Sequence, residues 1–299
     1  MSAADNEFKS PERAIAGFLL EYHNIWGKFF PGLNKRAHWH VIFMARTCGQ
    51  SAVSSRAVHR ALYGSYGTDI RTCIERIKDC ERDGFIRVFD EANRECAASP
   101  GCLIGPTERL IESFDAHCRE AIDEVCSVAG DQGFGPDLTG ECNDGLISEF
   151  YRFFGACDRN WREISELVVR NKGLTPAHIE DAMDHLVTYQ YWAIVMLLWT
   201  ASASGSDGAI RMPLVIDEII SRMWDRLRLG HLAIKERIAN LIRWGFFSEQ
   251  TVKKHKAVSL TPIAEEAING GLAEMWPLLV DLHERMVARH AAMGADQLA

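Results

Sequence analysis

The chain has 299 residues, 47% hydrophobic and 25% charged, with a net charge of −8. That is long enough for two ordinary domains with apolar cores, and it excludes a disordered chain. No run of eighteen uncharged apolar residues occurs, so no helical membrane span is expected; the most apolar stretch, 191–203, is about half a span.

Helical periodicity dominates. Ser10 and Pro11 suit the cap and first position of a helix whose stripe is Ile15, Phe18, Leu19, Tyr22, Ile25 and Trp26, ending near Pro31-Gly32. Further helices are expected over about 38–48 and 54–63. A turn follows at Gly64-Ser65-Tyr66-Gly67, and Thr68 or Asp69 then caps a helix reaching Asp83. Gly84 is the natural stop. Phe85 to Phe89 and Cys102-Leu103-Ile104 read as two strands of a hairpin with a long polar tip. Gly105-Pro106 opens a helix to about Val128, and 129–144, rich in Gly and polar residues, reads as a linker between a first unit (1–129) and a second (145–299).

The second half predicts helices over 146–169 and, capped at Thr175-Pro176, to about Thr200. A loop occupies 202–208. Pro213 opens a helix to about Arg226, and after a turn a helix runs from His231 to Trp244, stopped by Gly245. Phe246 to Ser248 and Ala257 to Leu260 are short strands. Thr261-Pro262 caps a final helix expected to break near Gly270-Gly271 and Pro277.

The two halves repeat one order of elements. At a shift of 161, Arg76 falls on Arg237, Ile77 on Ile238, Gly84 on Gly245 and Phe85 on Phe246; Cys73 and Cys80 fall on Ile234 and Leu241. Pro106 falls on Pro262 after a shorter second hairpin. A three-helix core followed by a hairpin is the pattern of a winged helix-turn-helix, in which one helix enters the DNA major groove. The expected fold is therefore mostly α: two winged helix-turn-helix units with small β-hairpin wings, joined by a helical core.

The segments Arg71-Thr72-Cys73-Ile74-Glu75-Arg76-Ile77 to Gly84-Phe85-Ile86, and Lys235-Glu236-Arg237-Ile238 to Gly245-Phe246-Phe247, each lead into a hairpin and a long helix. This layout resembles the multiple-antibiotic-resistance regulator (MarR) family. The resemblance implies a transcription regulator of double-stranded DNA. Its members are usually dimers, so two copies in one chain imply a monomer with an internal pseudo-two-fold. A small aromatic ligand could tune it.

Charge is distributed to match. Residues 36–90 hold nine Lys/Arg against six Asp/Glu, and 207–260 ten against six, whereas 107–200 hold seven against seventeen. Candidate DNA contacts in the first unit are Arg56, Arg60, Thr68, Arg71 and Thr72. In the second they are Arg222, Arg226, Arg228, His231 and Lys235, with the basic tip Lys253, Lys254 and Lys256 set for phosphates. The first tip, with Asp90, Glu91 and Glu95 against Arg94, suits DNA poorly, and the second unit is expected to contribute more.

Trp161, His185, Tyr189, Trp192 and Trp199 are candidates for an aromatic-ligand pocket, with core packing as the simpler reading. His38-Trp39-His40 alternates too fast for one helix face to hold a metal. Cys96 and Cys102 flank the first tip and could form a redox pair or half a zinc site, although no second pair has metal-ligand spacing. Nine scattered cysteines, and no basic-then-apolar start, lead us to expect a reducing cytoplasm. No phosphate loop, nucleophile elbow or paired-carboxylate motif stands out, so neither catalysis, nor a cofactor, nor a metal is expected. The alternative is a winged-helix scaffold without DNA binding that senses a ligand or docks a protein.

Overall fold

The computed structural model describes residues 11–33, 36–48, 52–66, 68–131, 144–186, 188–202, 213–227 and 230–296. The chain is mostly helical with two small antiparallel three-stranded sheets. None of its described helices is long and apolar enough to cross a membrane. In chain order come α1 (Pro11–Phe29), α2 (Arg36–Thr47), β1 (Val53–Ser54), α3 (Ser55–Tyr66), α4 (Ile70–Arg82), β2 (Ile86–Phe89), β3 (Leu103–Pro106) and α5 (Glu108–Asp131). Then follow α6 (Asp144–Asn171), α7 (Pro176–Leu186), α8 (Tyr189–Ser202), β4 (Leu214–Val215), α9 (Ile216–Leu227), α10 (His231–Arg243), β5 (Phe247–Val252), β6 (His255–Leu260) and α11 (Pro262–Asp296).

The described residues form two compact units. One holds 25–121 with 144–151; the other holds 11–24, 122–131 and 152–296. In the first, α4 buries Cys73, Ile74, Ile77 and Cys80 against α2, α3 and the sheet β1-β3-β2. Gly84, at φ +75, ends α4: its N–H bonds Glu81 and that of Phe85 bonds Cys80, the two bonds of a Schellman cap. In the second unit α10 buries Ile234, Ile238 and Leu241 beside the sheet β4-β6-β5. Gly245, at φ +89, ends α10 with the same pair of bonds, to Ile242 and Leu241.

The duplication extends past the sequence matches. At a shift of 161, β1, α3 and α4 begin on the starts of β4, α9 and α10. At a shift of 153, α2 falls on α8, pairing Trp39 with Trp192 and Thr47 with Thr200; both threonine hydroxyls donate to the carbonyl four residues back, at 2.9 Å. Trp26 donates its indole N–H to Leu33 O at 2.7 Å, and Trp161 does so to Leu186 O at 2.9 Å. Arg46 bonds Asp115 where Trp199 bonds Asn269, and His38 bonds Asp79 where Tyr191 meets Asn240.

Several expected boundaries move. Pro106 ends β3 rather than opening a helix, so its counterpart is Leu260, not Pro262. The true match is Thr107 with Thr261: each hydroxyl donates to the glycine carbonyl of the preceding helix stop, Gly84 at 2.8 Å and Gly245 at 2.7 Å, and accepts the N–H three residues on. Gly64, Ser65 and Tyr66 belong to α3 rather than to a turn. The single helix expected from 176 to 200 is two, α7 and α8. Pro213 precedes β4, and its helix begins at Ile216. Most of the expected linker, 132–143, and residues 203–208 of the expected loop lie outside the described residues.

The last helix, α11, runs unbroken through Gly270, Gly271 and Pro277. A Cβ on Gly271 would stand 2.4 Å from Ile164 Cδ1 and 2.6 Å from Asn160 Oδ1. Gly271 is therefore a close-packing position against α6, not a break. Buried Leu272, Met275, Leu279, Leu282 and Met286 carry the helix past Pro277.

Candidate nucleic-acid interface

In the first repeat the outward end of α4 is built by Asp69. Its carboxylate accepts from the backbone N–H of Arg71 at 2.7 Å and of Thr72 at 3.0 Å, and from the Thr72 hydroxyl at 3.0 Å. The bonds from Thr72, with that from Arg71, hold the Asp69 carboxyl below the usual range, and they commit the Thr72 hydroxyl to the cap. Arg71 beside it is exposed. So are Arg56 and Arg60 on α3, and none of the three makes an ion pair among the described residues. Thr68 is half-buried. The first tip offers no such cation. Asp90 accepts from the N–H groups of Ala92 and Arg94 and pairs with the Arg94 guanidinium at 2.8 Å, so the tip's one base is tied to its own turn.

In the second repeat α10 starts at Gly230, which has no side chain to cap it. Lys235 lies 3.8 Å from Asp217, Arg222 bonds Glu218 at 2.5 Å, and Lys256 bonds Glu249 at 3.0 Å. His231 is exposed, its ring edge-on to Trp224 at 4.4 Å; Trp224 is itself 46% exposed and Leu232 is 83% exposed. Sequence reasoning passed over Trp224 and the three acidic partners. Arg228 lies outside the described residues, as do the side chains of Arg226 and Tyr189.

The second tip is tighter than expected. It is a two-residue turn of Lys253 and Lys254, with φ of +47° and +72°, and Lys256 already belongs to β6. Two consecutive left-handed residues make the turn type that favours Asn-Gly. Lysines there hold a strained backbone and leave two exposed cations at the turn.

No family model, curated protein or solved structure matches this chain.

The three tryptophans of the aromatic cluster are core. Trp161, Trp192 and Trp199 are buried, and the indoles of Trp161 and Trp199 are already bonded to Leu186 O and Asn269. His185 is exposed and its ring stacks on Trp244 at 5.8 Å. A cavity of about 470 Å³ lies elsewhere, lined by Leu20, Leu197 and Ala201 with Arg13, Glu21 and Arg222 among its polar groups.

His38 is a strut between α2 and α4. Its Nε2 stands 3.1 Å from Asp79, which also pairs with Arg76 at 2.6 Å and Arg82 at 3.2 Å. Burial pushes the Asp79 carboxyl up, but the bond and charge of His38 with Arg76 and Arg82 outweigh it and hold it low. Cys96 and Cys102 are free thiols. Desolvation, with Cys102 and nearby acids, pushes the Cys96 thiol up, away from the reactive thiolate.

Proposed function

We propose that the protein is a DNA-binding transcription regulator of MarR-like type, built from two inequivalent winged helix-turn-helix units in one chain. The observation that carries this reading is the order helix, strand, helix, helix, strand, strand, found twice with the third strand central in each sheet. In such a unit the third helix faces the major groove and the hairpin lies along the backbone. Exposed Arg56, Arg60 and Arg71 and the Lys253-Lys254 tip support it. The protein acts by binding rather than catalysis, as a cytoplasmic monomer; the eight described cysteines are free, which fits a reducing compartment. The cavity beside Arg222 is large enough for a small aromatic effector.

The test is fluorescence anisotropy with mixed-sequence duplex at low salt. Binding that weakens steeply with salt, and weakens again in Arg56→Ala/Arg60→Ala, supports the reading; no binding at low salt refutes it. A scaffold that docks a protein is the second reading, favoured by exposed Leu232 and Trp224 on the second repeat.

A further inference from the structure

The register of the duplication allows the two groove-facing surfaces to be compared position by position. Residues between β1 and β2 match those between β4 and β5 at a shift of 161. Arg56 is thereby matched by Asp217, Arg60 by Ser221, Arg71 by Leu232 and Thr72 by Ala233. The capping Asp69 is matched by Gly230, which caps nothing. Every exposed cation at the reading end of the first repeat is thus replaced, in the second, by an acid, a hydroxyl or an alkyl group. Of the described cations on α9 and α10, Arg222 and Lys235 face Glu218 and Asp217, Arg237 bonds Gln190, and Arg243 lies in the last turn of α10, away from its start.

Base reading needs donors and acceptors delivered to the groove edge. Arginine, with its paired donors on guanine O6 and N7, is the commonest such contact. Leu232 can offer only apolar contact to a thymine methyl, and Asp217 would stand where a phosphate must be approached. From this we infer that the chain reads bases with one helix only, α4 of the first repeat, through Arg71, with Arg56 and Arg60 on phosphates. Its target is then one half-site without dyad symmetry. The second repeat contributes sequence-blind backbone contact through Lys253 and Lys254.

This inference rests on the DNA-binding reading, and the experiment separates the two. The full-length protein is used to select duplexes from a random library, and the enriched motif is then measured by anisotropy against scrambled duplex. The expected motif is a single non-palindromic core. Arg71→Ala should cut the preference for it by roughly tenfold or more while scrambled-duplex affinity falls little. Leu232→Ala should leave the preference unchanged; both sites are exposed, and circular dichroism checks that both variants fold. A palindrome with two equal half-sites, or equal loss of preference in the two variants, overturns the single-reader inference while leaving DNA binding intact. Failure to bind any duplex at low salt overturns the DNA-binding reading itself, and the inference with it.

Discussion

Gly270 and Gly271 are neighbours on one helix, and alanine should act on them in opposite directions. Gly270 is exposed with nothing within 4 Å of a built Cβ. Alanine there gains about 0.5–1 kcal/mol of helix stability through the entropy glycine loses on folding. At Gly271 the same gain meets Ile164 Cδ1 at 2.4 Å, Ile164 Cγ1 at 3.1 Å and Asn160 Oδ1 at 2.6 Å. Carbon atoms rest about 3.5–4.0 Å apart, so the isoleucine tip must retreat by more than about 1 Å. Ile164 is 5% exposed, and little room is open to it. Overpacking of this kind costs about 1–3 kcal/mol, which offsets the helix gain and leaves Gly271→Ala destabilised by up to about 2.5 kcal/mol net. Urea denaturation followed by circular dichroism measures both variants. Gly271→Ala stabilised as much as Gly270→Ala would refute close packing as the reason that α11 keeps a glycine at 271.

Thr107→Val and Thr261→Val should each cost about 1 kcal/mol, and similar amounts, because each hydroxyl makes the same bonds to a helix stop and a helix start. Chemical denaturation of the two variants tests this, and a loss confined to one would argue against equivalent roles. The double variant Lys253→Asn/Lys254→Gly should stabilise the second hairpin by about 1–2 kcal/mol through relief of the left-handed strain. On the DNA-binding reading it should also lower the salt slope of duplex binding by up to about two units. Stabilisation without any change in slope would remove the tip from the interface.

Long helices and their stops were legible because their signals are local. Asp69, Gly84 and Gly245 cap or end helices by side-chain reach or positive φ, and each announces itself in a few residues. The two-residue strands β1 and β4 were not legible, since Val53–Ser54 and Leu214–Val215 are too short to alternate. Their strand partners are Ile104 with Leu103 and Val258 with Ala257, tens of residues away. Gly271 misled for a related reason: what it answers to is Ile164 on another helix. At the candidate interface the cations were visible in sequence, but their neutralisation was not. Arg222 with Glu218 is a helical i,i+4 pair that could have been counted. Lys235 with Asp217 and Lys256 with Glu249 bring separate elements together, and on the DNA-binding reading these pairs, with Leu232 standing where Arg71 does, favour the first repeat over the second.

Acid should act on the two repeats unequally, because equivalent links differ in charge. The first unit ties α2 to its neighbours through His38 with Asp79 and Arg46 with Asp115, whereas the second uses Tyr191 with Asn240 and Trp199 with Asn269, none of which ionises in acid. The first unit also buries His117 among Trp26, Phe30 and Phe114, at the position matched in the second by Gly271. Burial drives the His117 imidazole down from 6.5 to about 3. The unfolded chain therefore takes up that proton first. Stability is complete above the unfolded value near 6.5 and falls by up to about 1.4 kcal/mol per pH unit down to the folded value. The Asp79 carboxyl is also held low, so its contribution is present above the unfolded carboxylate range and is lost as pH falls through its folded value. Both effects weaken the first unit in acid. Hydrogen exchange read by mass spectrometry at pH 4, corrected for the intrinsic rate and compared with pH 7, should show α2 and α4 losing protection before α8 and α10. His117→Leu should recover part of that protection, since it removes the proton-binding site without emptying the space. Earlier opening of α8 and α10, or a His117→Leu chain with unchanged acid sensitivity, would show that these buried charges do not govern the order in which the repeats open.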